Sequence, residues 1–305
     1  MQTQNGGRRS EQANSPVDAV AIVIPVLNEA AVMPRLLRLL GILDPAPAEI
    51  IAVDGGSQDN TATLVRQSGF VRLIEHAVRG RAAAINRGVI ETRSPLVCVL
   101  HADTILPDDA VAVIRATMQD PRIALAGFIS LIAGAERVRW GTTFHNWIKT
   151  WYAPLIFRPH VFFQGGRLLF GDHAMFFRRS DFLAVGGCDG TLTVMEDADL
   201  CLRLFRRGRI RLVNRTVTTS DRRIAVWGGL KANLIFLYIG IRWAFGLRQS
   251  HRASLSRHQI DVALPVISVG VRLEMAYSTR CRSDLPSRGR SARDRDLHPG
   301  SPAAK

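Results

Sequence analysis

The chain has 305 residues, 47% of them hydrophobic and 22% charged, enough to bury a sizeable core in one large domain with a tail. Its four cysteines (Cys98, Cys188, Cys201, Cys281) lie far apart with no C-x-x-C pair, so no zinc site is expected and Cys98 and Cys201 read as small buried hydrophobes in a reducing, cytoplasmic compartment. The formal net charge is +14, of which residues 251–305 contribute five (ten Lys/Arg less five Asp/Glu). A basic surface serves nucleic acid, anionic lipid or phosphorylated substrates, but no aromatic–basic RNA motif or recognition-helix pattern is present, and nucleic acid is not expected as a partner.

In chain order, residues 1–18 are polar, lack an apolar signal core and are expected to be disordered. Ala19–Pro25 is a short apolar strand, and Glu29–Leu40 a helix with Met33, Leu36, Leu37 and Leu40 on one side. Glu49–Val53 is a second strand, Asn60–Gln67 a helix, Val71–Ile74 a third strand, Arg81–Glu91 a helix and Leu96–Leu100 a fourth strand. Alternation of this kind with near-continuous apolar strands predicts an α/β fold: a mainly parallel central sheet with helices on both faces. Ligands in such sheets sit beyond the carboxyl ends of the strands, where Asp54 and His101–Asp103 fall. The second half is less regular. A helix over Asp109–Met118 precedes a strand over Ile123–Leu131. A helix over Glu136–Tyr152 carries Trp140, Phe144, Trp147 and Trp151 at helical spacing; this stripe reads as core, with a platform for an apolar or lipid acceptor as the alternative. Leu168–Phe177 is strand-like around a Gly171-Asp172 turn, Ser180–Val185 is a short helix, Asp197–Arg207 a helix and Ile210–Thr218 a strand. Gly229–Leu247 is an apolar helix too short and too interrupted, by Lys231 and Arg242, to span a bilayer; it is either buried with one wet edge or interfacial. Residues 251–305, rich in Arg, Ser, Pro and Gly after Tyr277, read as a disordered basic tail.

Several positions carry chemistry. Asp54-Gly55-Gly56-Ser57-Gln58-Asp59 joins a strand to a helix: Asp54 is placed to accept hydrogen bonds from a nucleobase or ribose, and the glycines allow close backbone approach. The competing reading is a tight turn with a helix cap, which suits Asp59 better. The spacing does not fit G-x-G-x-x-G, which disfavours a dehydrogenase. Pro25 through Asn28 and Glu29 ends the first strand, and the last two either line a nucleotide pocket or cap the next helix. Arg79-Gly80-Arg81 offers cations and amides to a phosphate, or is a solvated basic turn. In His101-Ala102-Asp103 the outer residues point the same way if the strand persists. Imidazole and carboxylate together suit Mn²⁺, whereas Mg²⁺ would lean on Asp103 and a diphosphate. Glu196-Asp197 opens a helix in which Asp199 and Arg203 pair and Leu200 and Leu204 are buried. One carboxylate of that pair can cap while the other acts as general base. Asp172 is either turn chemistry or an acceptor contact.

Six stretches, "AIVIPVLNEA", "IIAVDGGSQDNTATL", "RGRAAAINRG", "VCVLHADTILPDDA", "GDHAMFFRRSDFLAVGG" and "VMEDADLCLRLFRRGRIRL", together resemble family 2 glycosyltransferases with the GT-A fold. They are most similar to the subgroup described as selenodomain-associated transferase 2, some members of which are associated with arsenosugar biosynthesis. The resemblance spans Val20 to Leu247. It implies a GT-A domain over 19–250, with a nucleotide-binding half (19–104) and an acceptor and catalytic half (105–250). It further implies inverting transfer from a nucleotide-diphosphate sugar to an unidentified acceptor. In that frame Asp54 binds the nucleotide, alongside Pro25, Asn28, Glu29, Gly55, Arg79, Arg81 and Ala102. Asp103 with His101 holds a divalent cation, Mn or Mg; Asp197, with Glu196 beside it, is the base; Asp172 faces the acceptor. His101 stands where many members have an aspartate. The Gln-x-x-Arg-Trp element of processive synthases is absent, and Thr219 to Arg223 lies in that region, which implies single-sugar transfer. A non-catalytic nucleotide-sugar-binding homologue and a membrane-surface adaptor are the alternatives, and peripheral contact with the inner membrane face is left open.

Overall fold

The computed structural model describes residues 18–75, 80–134, 137–192, 194–222, 238 and 241. Arg79, Cys281, most of the apolar segment 229–247 and the tail 251–305 lie outside the described residues.

Strand β1 (Val20–Val26) sits mid-sheet between β2 (Glu49–Asp54) and β4 (Leu96–Val99), parallel to both, and β3 (Arg72–Glu75) continues the parallel set beyond β2. Strands β1 and β4 are apolar throughout because both faces are covered, whereas β3, at the sheet edge, has exposed Arg72 and Glu75 at its ends. Val20, Ile22, Ile24 and Val26 join one core with Leu36 and Leu40 of α1 (Met33–Leu40) and Ile114 of α4 (Ala110–Met118). Val23, Val53 and Val99 join the other, with Ile85 and Val89 of α3 (Arg81–Glu91) and Leu200 and Leu204 of α8 (Glu196–Phe205). The two-residue period of the strands therefore sorts side chains between two cores. Helix α2 (Thr61–Gln67) links β2 to β3.

Beyond β4 the sheet changes character. The full order is β3-β2-β1-β4-β7-β6-β8-β5, with β5 at Thr104–Ile105, β6 at Ile123–Ala133, β7 at Phe176–Arg178 and β8 at Arg209–Ser220. Short β7 lies antiparallel between β4 and β6, β8 runs parallel to β6, and β5 closes antiparallel on β8. Helices α5 (Trp140–Phe157), α6 (Pro159–Phe163) and α7 (Arg179–Ala184) fill the connections. The mainly parallel sheet with helices on both faces is therefore as expected. Cys98, Cys188 and Cys201 are buried free thiols, and Asp199 pairs with Arg203 at 2.7 Å.

Three expectations are corrected. The first helix begins at Met33 rather than Glu29: Asn28 takes a left-handed φ of 55°, and the Glu29 carbonyl accepts from the Val32 and Met33 amides to form a turn. Leu168–Phe177 is not a strand around a turn. Gly171–His173 is a 3₁₀ turn, Ala174 has φ 43°, and pairing starts only at Phe176, because the Leu169 and Gly171 amides go to Cys201 and Asp197 instead of a ladder. Finally, the aromatic stripe is not core. Helix α5 buries Thr143, Asn146, Thr150, Ala153 and Pro154, and leaves Trp140 70% and Phe144 60% exposed.

Candidate active site

Asp54 closes β2 opposite Val26 of β1. It is 5% exposed. Its carboxylate accepts the Ser57 amide at 3.1 and 3.2 Å and the Ser57 hydroxyl. The Ser57 oxygen in turn accepts the Asn28 amide at 2.9 Å, and the Asn28 side-chain oxygen accepts the Gln58 amide at 2.8 Å. Asp59 ties in the Ala30 and Thr61 amides and the Thr61 hydroxyl, while Thr61 accepts the Glu29 amide at 2.8 Å. Burial works against ionisation of Asp59, but the Thr61 hydroxyl and these amides outweigh it and hold the carboxyl below its ordinary range. The loops after β1 and β2 thus form one hydrogen-bonded cradle, in which Asp54 organises the turn.

The chain after β4 turns at His101, whose carbonyl accepts the Thr104 amide at 3.0 Å, so the strand does not persist to align His101 with Asp103. Asp103 is drawn to β8 instead. Its carbonyl accepts the Ser220 amide at 3.1 Å, and its carboxylate faces Arg222 at 3.4 Å. The same guanidinium lies 3.1 Å from Glu29. Among the described residues no group of three or more His, Cys, Asp or Glu is arranged around a common metal position. The two carboxylates do share one cation, and hard oxygen donors of this kind fit Mg²⁺ or Mn²⁺ when a diphosphate and water complete the shell. The residues present fit a divalent ion on those terms.

The second acidic pair is built differently. Met195, with φ 66°, turns the chain into α8. Glu196 is 2% exposed and bound to the Arg81 guanidinium, and its Oε2 has no hydrogen-bond partner among the described residues. Asp197 accepts the Gly171 amide on Oδ2 and the Ala198 amide on Oδ1, each at 2.7 Å. Burial, and then the Glu196 charge, push the Asp197 carboxyl up to about 6 despite Arg81 and the two amides. His101, Arg81, Gly171, Glu196 and Asp197 line one small cleft. A Cβ on Gly171 would collide with the His101 imidazole, so glycine is needed there for the close approach. Ala102 is buried.

Asp172 belongs to an adjoining buried cluster. Asn146 of α5 donates to its carboxylate. Burial opposes its ionisation, yet His173, Lys149 and Asn146 hold the carboxyl below the usual range. Lys149, over the Phe170 ring at 3.9 Å, is pushed down by burial against the pull of Asp172 and Asp197. Arg222, Asn146, Lys149 and His173 were not singled out as site residues from sequence. Arg222 lies 119 positions from Asp103, and nothing local distinguishes the other three from an ordinary helix or turn.

The strand-end loops, the acidic helix start and the mixed sheet define the GT-A fold of nucleotide-sugar transferases. The chain belongs to glycosyl transferase family 2, whose profile matches residues 21–186. It is similar to an undecaprenyl-phosphate 4-deoxy-4-formamido-L-arabinose transferase of Pseudomonas aeruginosa, 38% identical over 105 residues covering 32% of this chain and 31% of that one. It is also similar to a PGL/p-HBAD biosynthesis glycosyltransferase of Mycobacterium bovis, 28% identical over 61% of this chain and 69% of the relative. The match to the first of these thus spans about a third of the relative's length. Among solved structures, a Pyrobaculum calidifontis mannosyltransferase in complex with GDP-Man and Mn2+ aligns with TM-score 0.51 and 19% identity, covering 66–68% of this chain in the pair of which the other is S. aureus TarS with UDP-GlcNAc, at TM-score 0.51 and 12% identity; each alignment covers 58% of the solved chain.

Proposed function

We propose that the chain transfers a single sugar, with inversion, from a nucleotide-diphosphate donor to an acceptor hydroxyl, and that Asp197 is the base. The observation that carries this reading is that Asp197 is fixed by the Gly171 and Ala198 amides in a cleft beside Glu196, a setting in which burial and the Glu196 charge raise its carboxyl to about 6. A carboxylate near that value is ionised at neutral pH yet basic enough to accept a proton, and each of its oxygens keeps a lone pair beyond the amide it holds. Asp197 takes the acceptor hydroxyl proton, and the oxygen attacks the anomeric carbon. The bond from that carbon to the diphosphate breaks, its electron pair leaving on the nucleoside diphosphate. One displacement inverts the centre.

The remaining roles are part of the same proposal. Pro25, Asn28, Glu29, Asp54, Gly55 and Ala102 border the nucleotide, with Asp54 and Ser57 holding the cradle's shape. Arg81 steadies Glu196 and supplies positive charge to the donor phosphates; the same role is expected from sequence for Arg79, which lies outside the described residues. Glu196 Oε2 is left to receive a sugar hydroxyl, and Asp172 to receive the acceptor. A divalent ion at Asp103 and Glu29 would supply Lewis-acid neutralisation of the departing diphosphate; His101, the other metal ligand expected from sequence, turns instead toward Gly171 in the Asp197 cleft. Support for donor and metal comes from the GDP-Man and Mn2+ in the mannosyltransferase and the UDP-GlcNAc in TarS. Single-sugar transfer rests on the missing Gln-x-x-Arg-Trp element, and membership of the selenodomain-associated transferase 2 subgroup rests on the His101-Ala102-Asp103 form of the strand end. We place the chain in the cytoplasm, in peripheral contact with the inner membrane face; a relative is named for undecaprenyl phosphate, and no helix of the described residues is long and apolar enough to cross a membrane.

Calorimetric titration with UDP, GDP and dTDP, each with and without Mn²⁺, tests the donor chemistry. Metal-dependent binding of one diphosphate is the expected result. A folded protein that binds none of them would overturn the proposal.

A further inference from the structure

We infer that helix α5 is a membrane-docking element that lies along an anionic bilayer surface. This deepens the transfer reading by naming the surface on which the acceptor side of the cleft rests. The geometry starts from the helix itself. Its buried face is small and partly polar, with Thr143, Asn146, Thr150 and Ala153. Trp140, Phe144, Trp147, Trp151 and Leu155, spaced four, three, four and four residues apart, fall on an adjoining face. Those five are 70%, 60%, 37%, 41% and 42% exposed. At 1.5 Å per residue they form a ridge about 22 Å long. Phe144, Trp147 and Trp151 run ring to ring, with centroids 6.0 and 6.3 Å apart, so the ridge is continuous rather than a scatter of single apolar residues.

Charge decides what covers it. Between Arg137 and Gly171 the chain contains Arg137, Arg139, Lys149, Arg158 and Arg167 and no Asp or Glu; Arg139 is paired with Asp221 at 2.7 Å and Lys149 is drawn to Asp172, so the positive charge beside the ridge is carried by exposed Arg137 and by Arg167. Arg167 lies over the Trp151 ring at 3.9 Å, which puts a guanidinium at the margin of the ridge. Two copies of this face pressed together by a two-fold axis would oppose positive charge with positive charge. An anionic bilayer complements it. Trp and Phe beside cations are also the composition that settles at the headgroup boundary, in a helix that lies in the plane of the interface. The helix is joined to the catalytic cleft through Asn146, which holds Asp172. Docking by α5 therefore brings the acceptor side of the site to the membrane, where an acceptor with an apolar anchor would be presented.

The test is sedimentation of the full chain with vesicles of phosphatidylcholine alone or with about 30% phosphatidylglycerol. Binding is expected to the anionic vesicles only, and to weaken as salt is raised. The double variant Trp140→Ser/Phe144→Ser should lose about tenfold in partition, and Arg137→Glu several-fold. Phe70→Ser, which removes another exposed aromatic far along the chain, should bind as wild type. Nucleotide binding in vesicle-free solution is measured on every variant, so a misfolded protein is recognised and a failure of the transfer reading is kept separate. Three results would overturn the inference: no wild-type binding to anionic vesicles, equal partition of ridge variants and wild type, or a wild-type dimer that the ridge variants abolish.

Discussion

The two halves of this molecule treat carboxylates in opposite ways. Around β1 and β2, Asp54 and Asp59 are wrapped by hydroxyls and amides from Ser57, Thr61 and Ala30, and the Asp59 carboxyl is held below its ordinary range. Around α8, Glu196 and Asp197 are pressed together with one shared guanidinium and few donors, and the Asp197 carboxyl rises to about 6. A carboxylate in the first setting shapes a loop; one in the second holds a proton near neutrality. Environment separates them: burial is deeper around Asp197 and the Glu196 charge adds to it, whereas Asp59 is more open and well supplied with N–H and O–H groups. Asp172 stands between the two, half-buried like Asp197 but held low by His173, Lys149 and Asn146.

The strongest way to break this contrast is Asp197→Asn. Transfer should fall by roughly 10³-fold while nucleoside diphosphate still binds, read by single-turnover assay and calorimetry. Turnover close to wild type would remove Asp197 as the base. The same variant bears on stability. A carboxyl raised in the folded state takes up protons on folding, so stability falls as pH climbs from the unfolded value through about 6. Asp197→Asn should therefore raise the free energy of unfolding at pH 7.5 by an amount on the order of 1 kcal/mol, read from denaturant titration. Next in size is the pH profile. kcat/KM should rise through about pH 6 to a plateau, and Glu196→Gln should move that limb to lower pH by removing the neighbouring negative charge. In the first half, Ser57→Ala should weaken nucleotide binding by about tenfold through loss of the Asp54 and Asn28 bonds, with no movement of the pH limb. Smallest is Arg222→Gln. With its guanidinium gone from between Glu29 and Asp103, Mn²⁺ binding without nucleotide, followed by electron paramagnetic resonance, should tighten a few-fold.

Legibility in the sequence tracks the locality of the forces. Alternating apolar strands and helices over residues 19–100 specify a covered parallel sheet, because strand and helix periods are set by neighbours in the chain. The strand ends followed, and with them Asp54 and Asp103. Helix α8 and its Asp199–Arg203 pair were equally readable at four-residue spacing. The Leu168–Phe177 segment was misread because its amides are claimed by Cys201 and Asp197, residues of a helix that comes later. The α5 stripe was misread because helical periodicity marks a face without saying whether that face turns inward, and here Thr143, Asn146 and Thr150 turn inward instead.

The order of elements, the family resemblance and the positions of the acidic pairs are legible in the chain alone. Which carboxylates are wrapped and which are crowded, the reach of Arg222 back to Asp103, and the exposure of the α5 aromatic residues emerge with the folded arrangement. Periodicity and capping act over a turn or a strand. Desolvation and charge pairing depend on atoms that chain topology brings together from distant positions, and those distances are fixed only when the sheet has closed.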